Sequence, residues 1–287
     1  MRPQHASTTA KVIAAATILL ASDPRTATQV SPGAAELCSR LLSGSHRDRW
    51  LASAAASSVL RPVWRGLESL TLPGIVSHYW HRKRWIEIRC RAAIAEGFEQ
   101  IVILGAGFDT LGLRLSTEFS PTLTVIEADH PDTQAAKVRA LTKAGAALPS
   151  SMRFVALDLS IGSISQLPLD RRAATFIAEG VLMYLQPAAV SRIFAQLRAA
   201  PVDKMLVLFS FMTRWPDGTT GFRPCSWWIE RWLAAQGEPF SGALEPSAMR
   251  EYLAGLGFDL TEMATPKQLA TEPATLEGEN LVMCEAG

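Results

Sequence analysis

Cysteine is scarce in this sequence: four residues in 287, far apart at Cys38, Cys90, Cys225 and Cys284. They form no C-x-x-C pair and have no histidine nearby at ligand spacing, so neither a disulfide framework nor a zinc site is expected. No metal is implied elsewhere, because His and carboxylates do not cluster at ligand spacing. Reduced, buried thiols in a cytoplasmic protein are the expectation. An excess of charge is also missing: 28 Lys plus Arg face 27 Asp plus Glu, a formal net charge of +1. That balance provides no general footprint for nucleic acid or an anionic membrane, and basic clusters such as residues 82–84 are short. Long hydrophobic runs are lacking too. Residues 12–21 (VIAAATILLA) follow Arg2 and Lys11 and look like a secretory h-region, but fall far short of the ~20 residues of a bilayer span. Asp23-Pro24-Arg25 follows in place of an A-x-A cleavage site, so the segment is expected to be the first buried helix of a soluble protein.

What is present points to a folded enzyme-sized domain. Apolar residues make up 48% and charged residues 19%, which excludes disordered and fibrous classes. The length fits one large domain, or one domain with a sizeable insertion. The first 75 residues are rich in Ala, Leu and Ser and punctuated by Pro24, Pro32, Pro62 and Pro73, which predicts short helices joined by turns. Strand-length apolar runs then appear at residues 100–104, 123–126, 153–157, 174–177 and 205–211, separated by helical patterns. Pro131 opens one helix and Gly145 can close it; Pro187 opens another, with Val190, Ile193, Phe194 and Leu197 on one face. Strands alternating with helices predict a parallel sheet covered on both sides.

The alternation breaks after the fifth strand, where Trp215, Trp227, Trp228 and Trp232 stand among Gly and Pro. A final helix near residues 247–253 and strands near 258–263 and 280–284 complete the pattern. The expected organisation is an N-terminal helical cap (1–98), a cofactor-binding α/β core (99–211), an aromatic lid insertion (212–245), and a C-terminal helix with closing strands (246–287). The fold class is α/β, a seven-stranded, mostly parallel Rossmann-like sheet whose closing hairpin makes one strand antiparallel.

The sharpest local signal is Gly105-Ala106-Gly107-Phe108-Asp109-Thr110, a glycine turn directly after the first strand. Glycine is needed where the backbone takes positive φ or approaches a ligand, and in open α/β sheets that place is the carboxyl end of the first strand. The second strand ends Glu127-Ala128-Asp129, with two carboxylates on one side, at the distance where an acid grips ribose hydroxyls. The third ends toward Asp158 and Leu159, one suited to an adenine amino group and the other to a ring face. The fourth ends Ala178-Glu179-Gly180. A dinucleotide fingerprint needs a third glycine where Thr110 stands, and no G-K-[ST] loop occurs. A ligand with adenosine but no phosphates fits better, and S-adenosyl-L-methionine is the common one.

GAGFDT, IEADHP, ALDL and AEGVLMYL, in that order, resemble the leucine carboxyl methyltransferase family, on the side of its bacterial members, which include polyketide-tailoring carboxyl O-methyltransferases. The resemblance implies S-adenosylmethionine as cofactor. It implies Arg82, in the stretch Tyr79-Trp80-His81-Arg82-Lys83-Arg84, as the partner of the cofactor carboxylate. It further implies Gly105 beside the methionine part, Asp129 rather than Glu127 on the ribose, Asp158 and Leu159 at the adenine, and Glu179 near the α-amino group. Gly107 belongs to the same glycine turn.

Other residues keep two readings. His130 is either a general base or a cap on the helix that follows, His78 and His81 are expected to be packing or surface groups, and Tyr184 is either catalytic, facing the transferring methyl, or an ordinary half-buried tyrosine. The tryptophans of the insertion are either lid core or a wall for a flat substrate. The expected function is O-methylation of a carboxylate, on a small molecule more than on a protein C-terminus. The alternatives are a phenol O-methyltransferase, an NAD-dependent oxidoreductase on the same sheet, and a non-catalytic S-adenosylmethionine-binding protein.

Overall fold

Serine and glycine punctuate the N-terminal region into helices. Ser7 and Ser45 cap α1 (Thr8–Ser22) and α3 (His46–Ala56) by accepting amide hydrogen bonds from Ala10 and Asp48. Left-handed Gly33 and Gly74 open α2 (Ala34–Leu41) and α5 (Ile75–Ala95), and α4 (Arg61–Thr71) lies before the latter. The computed structural model describes residues 7–226, 231, 240–269 and 276–286. The apolar segment of residues 12–21 is α1, buried through Ala14, Ala15, Ala16, Ile18 and Leu20. Among the described residues no helix is long and apolar enough to cross a membrane.

The α/β region follows with β1 (Gln100–Leu104), α6 (Leu111–Glu118), β2 (Thr124–Asp129), α7 (Pro131–Lys143), β3 (Met152–Ala156), β4 (Ala174–Ala178), α8 (Pro187–Arg198) and β5 (Met205–Thr213). A two-residue strand β6 (Ala243–Leu244), a helix over Met249–Gly255, β7 (Phe258–Ala264) and β8 (Glu279–Ala286) close the sheet. The strand order is β3-β2-β1-β4-β5-β8-β7, with β6 alongside the end of β5. β8 is antiparallel to both neighbours and the other pairings are parallel. The sheet therefore has eight strands rather than the expected seven. The addition is β6, which pairs only with Met212 and Thr213 and is too short to leave a periodic signal. Of the tryptophans assigned to the lid, Trp227, Trp228 and Trp232 lie outside the described residues; Trp215 donates from Nε1 to the Gly221 carbonyl at 3.0 Å.

Period-2 alternation sorts the sheet into two cores. Ile101 and Ile103 face α1, α2, α5 and α6, whereas Val102 and Leu104 face α8, where Val190, Ile193, Phe194 and Leu197 are all buried. Phe194 packs edge-on against Phe209 and Phe258 with ring centroids 5.4 and 5.3 Å away. Cys38, Cys90 and Cys284 are free thiols buried in these cores, and Cys225 is half-buried. Burial pushes the Cys38 and Cys284 thiols up to about 12. The chain runs outward from β1 through β2 to β3, then returns to place β4 on the other side of β1. That reversal opens a crevice between the carboxyl ends of β1 and β4.

Candidate functional site

A cavity of about 470 Å³ occupies this crevice, floored by the strand ends and covered by α1 and α5. Gly105 and Gly107 form its floor. Gly105 has φ +70°, and a Cβ there would sit 2.7 Å from Val181 Cγ2, so the turn admits only glycine. Its amide donates to the Ala128 carbonyl at 2.8 Å, tying the turn to the end of β2. The Gly107 amide donates to the Asp129 carboxylate, which also accepts from the His130 amide at 2.6 Å.

The two carboxylates of β2 part company. Asp129 lines the cavity, and burial raises its carboxyl despite the two amide hydrogen bonds. Glu127 is wholly buried behind it, with Oε2 2.6 Å from Lys137 Nζ. Burial pushes the Glu127 carboxyl up to about 7, against the pull of Lys137. Asp158 and Leu159 stand on the loop after β3 and both line the cavity. Asp158 Oδ1 accepts from Ser160 N and Oγ at 2.8 and 2.6 Å, while Oδ2 carries no partner among the described residues.

The opposite wall is a charge network carried by α5. Arg82, 4% exposed, donates from Nε to Glu179 Oε1 at 2.8 Å and from Nη1 to both oxygens of Glu279 at 2.8 and 2.7 Å. Lys83 Nζ lies 3.1 Å from Glu179 Oε1 and 3.1 Å from Asp109 Oδ1. Burial raises the Asp109 carboxyl, but Lys83 and Lys137 outweigh it and hold the group at about 2. Two atoms of this network are left over. Arg82 Nη2 and Glu179 Oε2 have no partner among the described residues, which leaves one donor and one acceptor of opposite charge on two residues that line the cavity. That pair suits the zwitterion of an α-amino acid.

All eight site residues expected from sequence thus line one cavity: Arg82, Gly105, Gly107, Asp129, Asp158, Leu159, Glu179 and Tyr184. Tyr184 is half-buried and stacks on Phe240 at 5.6 Å. His130 caps α7, its Nδ1 accepting from Asp132 N at 3.4 Å. His78 departs from expectation. It is neither a surface group nor mere packing, because it is buried with Nε2 2.8 Å from Glu279 Oε2. Glu279 was not anticipated at all. The i, i+4 spacing of His78 and Arg82 was the available signal, since it puts both on one helix face. Among the described residues no group of three or more His, Cys, Asp or Glu could hold a metal ion.

Residues 20–198, more than half of the 287-residue chain, match the family model described as leucine carboxyl methyltransferase. The chain belongs to the leucine carboxyl methyltransferase family. A Mycolicibacterium smegmatis protein named "Putative S-adenosyl-L-methionine-dependent methyltransferase" is 33% identical over 195 residues, 63% of this chain and 60% of that protein. A Mycolicibacterium gilvum protein of the same name is 36% identical over 127 residues, 41% of this chain and 39% of that protein. This leucine carboxyl methyltransferase family member therefore covers less than two thirds of either relative. A Thermobifida fusca structure described as a putative methyltransferase superposes with a TM-score of 0.57 at 16% identity, covering 87% of this chain and 93% of that one, so the two share a fold.

Proposed function

We propose that this family member is an S-adenosylmethionine-dependent O-methyltransferase acting on a carboxylate of a small molecule. The observation that carries the reading is the convergence of four strand ends and Arg82 on one cavity, with polar atoms left over where the cofactor's groups require partners. The residues fit the cofactor. Arg82 Nη2 and Glu179 Oε2 suit its carboxylate and ammonium, Asp129 the ribose hydroxyls, Asp158 Oδ2 the adenine amino group and Leu159 the ring face. Gly105 keeps clear the floor that a Cβ would fill. Thr110, 3% exposed, stands where a dinucleotide site needs its third glycine for close packing, which weighs against a nicotinamide cofactor.

When bound, S-adenosylmethionine supplies a methyl group activated by its sulfonium. The chain's contribution is orientation and exclusion of water: Arg82 and Glu179 fix the amino-acid end, and α1 roofs the cavity. A carboxylic acid near pKa ~4 reaches such a site already ionised, whereas a phenol near ~10 must lose a proton to a base. The histidine lining the cavity among the described residues is His130, which is engaged as a helix cap beside the ribose-side Asp129. That favours an acceptor that needs no base. Tyr184, backed by Phe240, is assigned to the acceptor side, and this aromatic pair suits a flat ring. The roofed cavity favours a small molecule over a protein C-terminus. Incubating the protein with methyl-labelled cofactor and a panel of aromatic acids tests the reading. The product should release labelled methanol under mild alkali; an alkali-stable methyl ether would replace it with phenol methylation.

A further inference from the structure

Arg82 sits at the cavity wall without the freedom a surface arginine has. Its guanidinium lies against the backbone of Gly180, whose φ is +63° and where a Cβ would come within 3.4 to 3.6 Å of Nη1, Nη2 and Cζ. The Tyr79 ring centroid is 5.0 Å from Cζ. The partner that sets its rotation is Glu279, the first residue of β8, which is wholly buried and takes both Nη1 contacts. His78 lies one turn before Arg82 on α5 and meets the same carboxylate. Burial raises the Glu279 carboxyl, but Arg82 and His78 outweigh it and hold it at about 2, so it is ionised throughout the working range.

We propose that Glu279 is a positioning residue for cofactor binding: it clamps Arg82 through Nη1 so that Nη2 is presented to the cofactor carboxylate, and His78 holds Glu279 in turn. The inference rests on the S-adenosylmethionine reading above. A guanidinium already fixed loses no rotamer freedom when the ligand arrives, which is how preorganisation raises affinity. The charge balance agrees. Arg82 and Lys83 face the carboxylates of Asp109, Glu179 and Glu279. A ligand bringing a carboxylate alone would enter a region already rich in carboxylate. A ligand bringing an ammonium with it, as an α-amino acid does, satisfies both leftover atoms together.

The test compares two ligands by titration calorimetry on purified Glu279→Gln. S-adenosylhomocysteine carries the amino-acid end, and 5′-methylthioadenosine keeps the nucleoside but lacks it. S-adenosylhomocysteine should bind roughly 10- to 150-fold more weakly, the loss of one charge-assisted contact, while methylthioadenosine binds as to wild type. Equal loss of both ligands would make Glu279 a purely architectural residue and overturn the proposal. So would undiminished S-adenosylhomocysteine binding, which would leave the cofactor reading standing. Wild-type protein that bound neither ligand would remove both. If Glu279→Gln does not fold, His78→Leu frees one Glu279 oxygen and leaves the Arg82 pair. It should show the same selective loss to a smaller degree, recovered in His78→Gln, whose amide still donates; equal affinity in all three proteins would overturn the clamp.

Discussion

At the scale of single residues, the site turns on which of several neighbouring charges reaches the cavity. Arg82 is buried at the wall, whereas Arg84, two residues on, is exposed and stands 5.7 Å from the Trp80 ring. Arg82→Ala and Asp129→Ala should each weaken S-adenosylhomocysteine binding by roughly 10- to 150-fold, through loss of ~1.5–3 kcal/mol per charge-assisted hydrogen bond. Arg84→Ala should leave it unchanged in the same calorimetric titration. A loss confined to Arg84→Ala would mean that α5 is in the wrong register. Behind the site, Glu127 carries a pH dependence of its own. Its carboxyl is raised from 4.5 to about 7 in the fold, so its stabilising contribution is complete below 4.5 and is lost as pH rises through 7. Glu127→Gln cannot titrate, so wild-type stability minus that of this variant should fall from pH 5 to pH 8 in urea unfolding. A difference that rose or stayed constant would show Glu127 ionised beside Lys137 across that range.

At the scale of elements, the turn between β1 and α6 decides how close helix and sheet approach. Gly112 lies inside α6, where alanine would normally stabilise by ~1 kcal/mol. Here a Cβ would meet Glu127 Oε1 at 2.6 Å and Ile103 and Val125 side chains at 3.2 Å. Gly112→Ala should therefore destabilise by ~1–3 kcal/mol, read from the urea midpoint, because the buried Glu127–Lys137 pair cannot give way. On the other face, Phe194→Ala should cost ~3–5 kcal/mol, since its ring is locked between Phe209 and Phe258. These elements were legible in the sequence to different degrees. β1 with its glycine turn, α7 behind Pro131 and the apolar face of α8 carry strong local signals. β6 pairs two residues with β5 and has no period to detect. β2 runs Thr124–Asp129, beyond its apolar run at 123–126, and ends at Asp129 as expected, with that acidic end in the ladder beside β3.

At the scale of the whole molecule, the site is assembled from segments that local reading can only partly connect. Gly105, Asp129, Asp158 and Glu179 were readable because each ends or follows its own strand, and the parallel topology brings such ends together. Glu279 was not, because it reaches Arg82 from 197 residues away on the one antiparallel strand. The fate of His78 was hidden for the same reason, since a histidine among aromatics shows its buried partner only after β8 has closed the sheet. The most direct check on the cofactor site is a calorimetric titration of the full chain with S-adenosylhomocysteine and, separately, with NADH. The account expects saturable binding of S-adenosylhomocysteine and no response to NADH; NADH binding with no response to S-adenosylhomocysteine would contradict it.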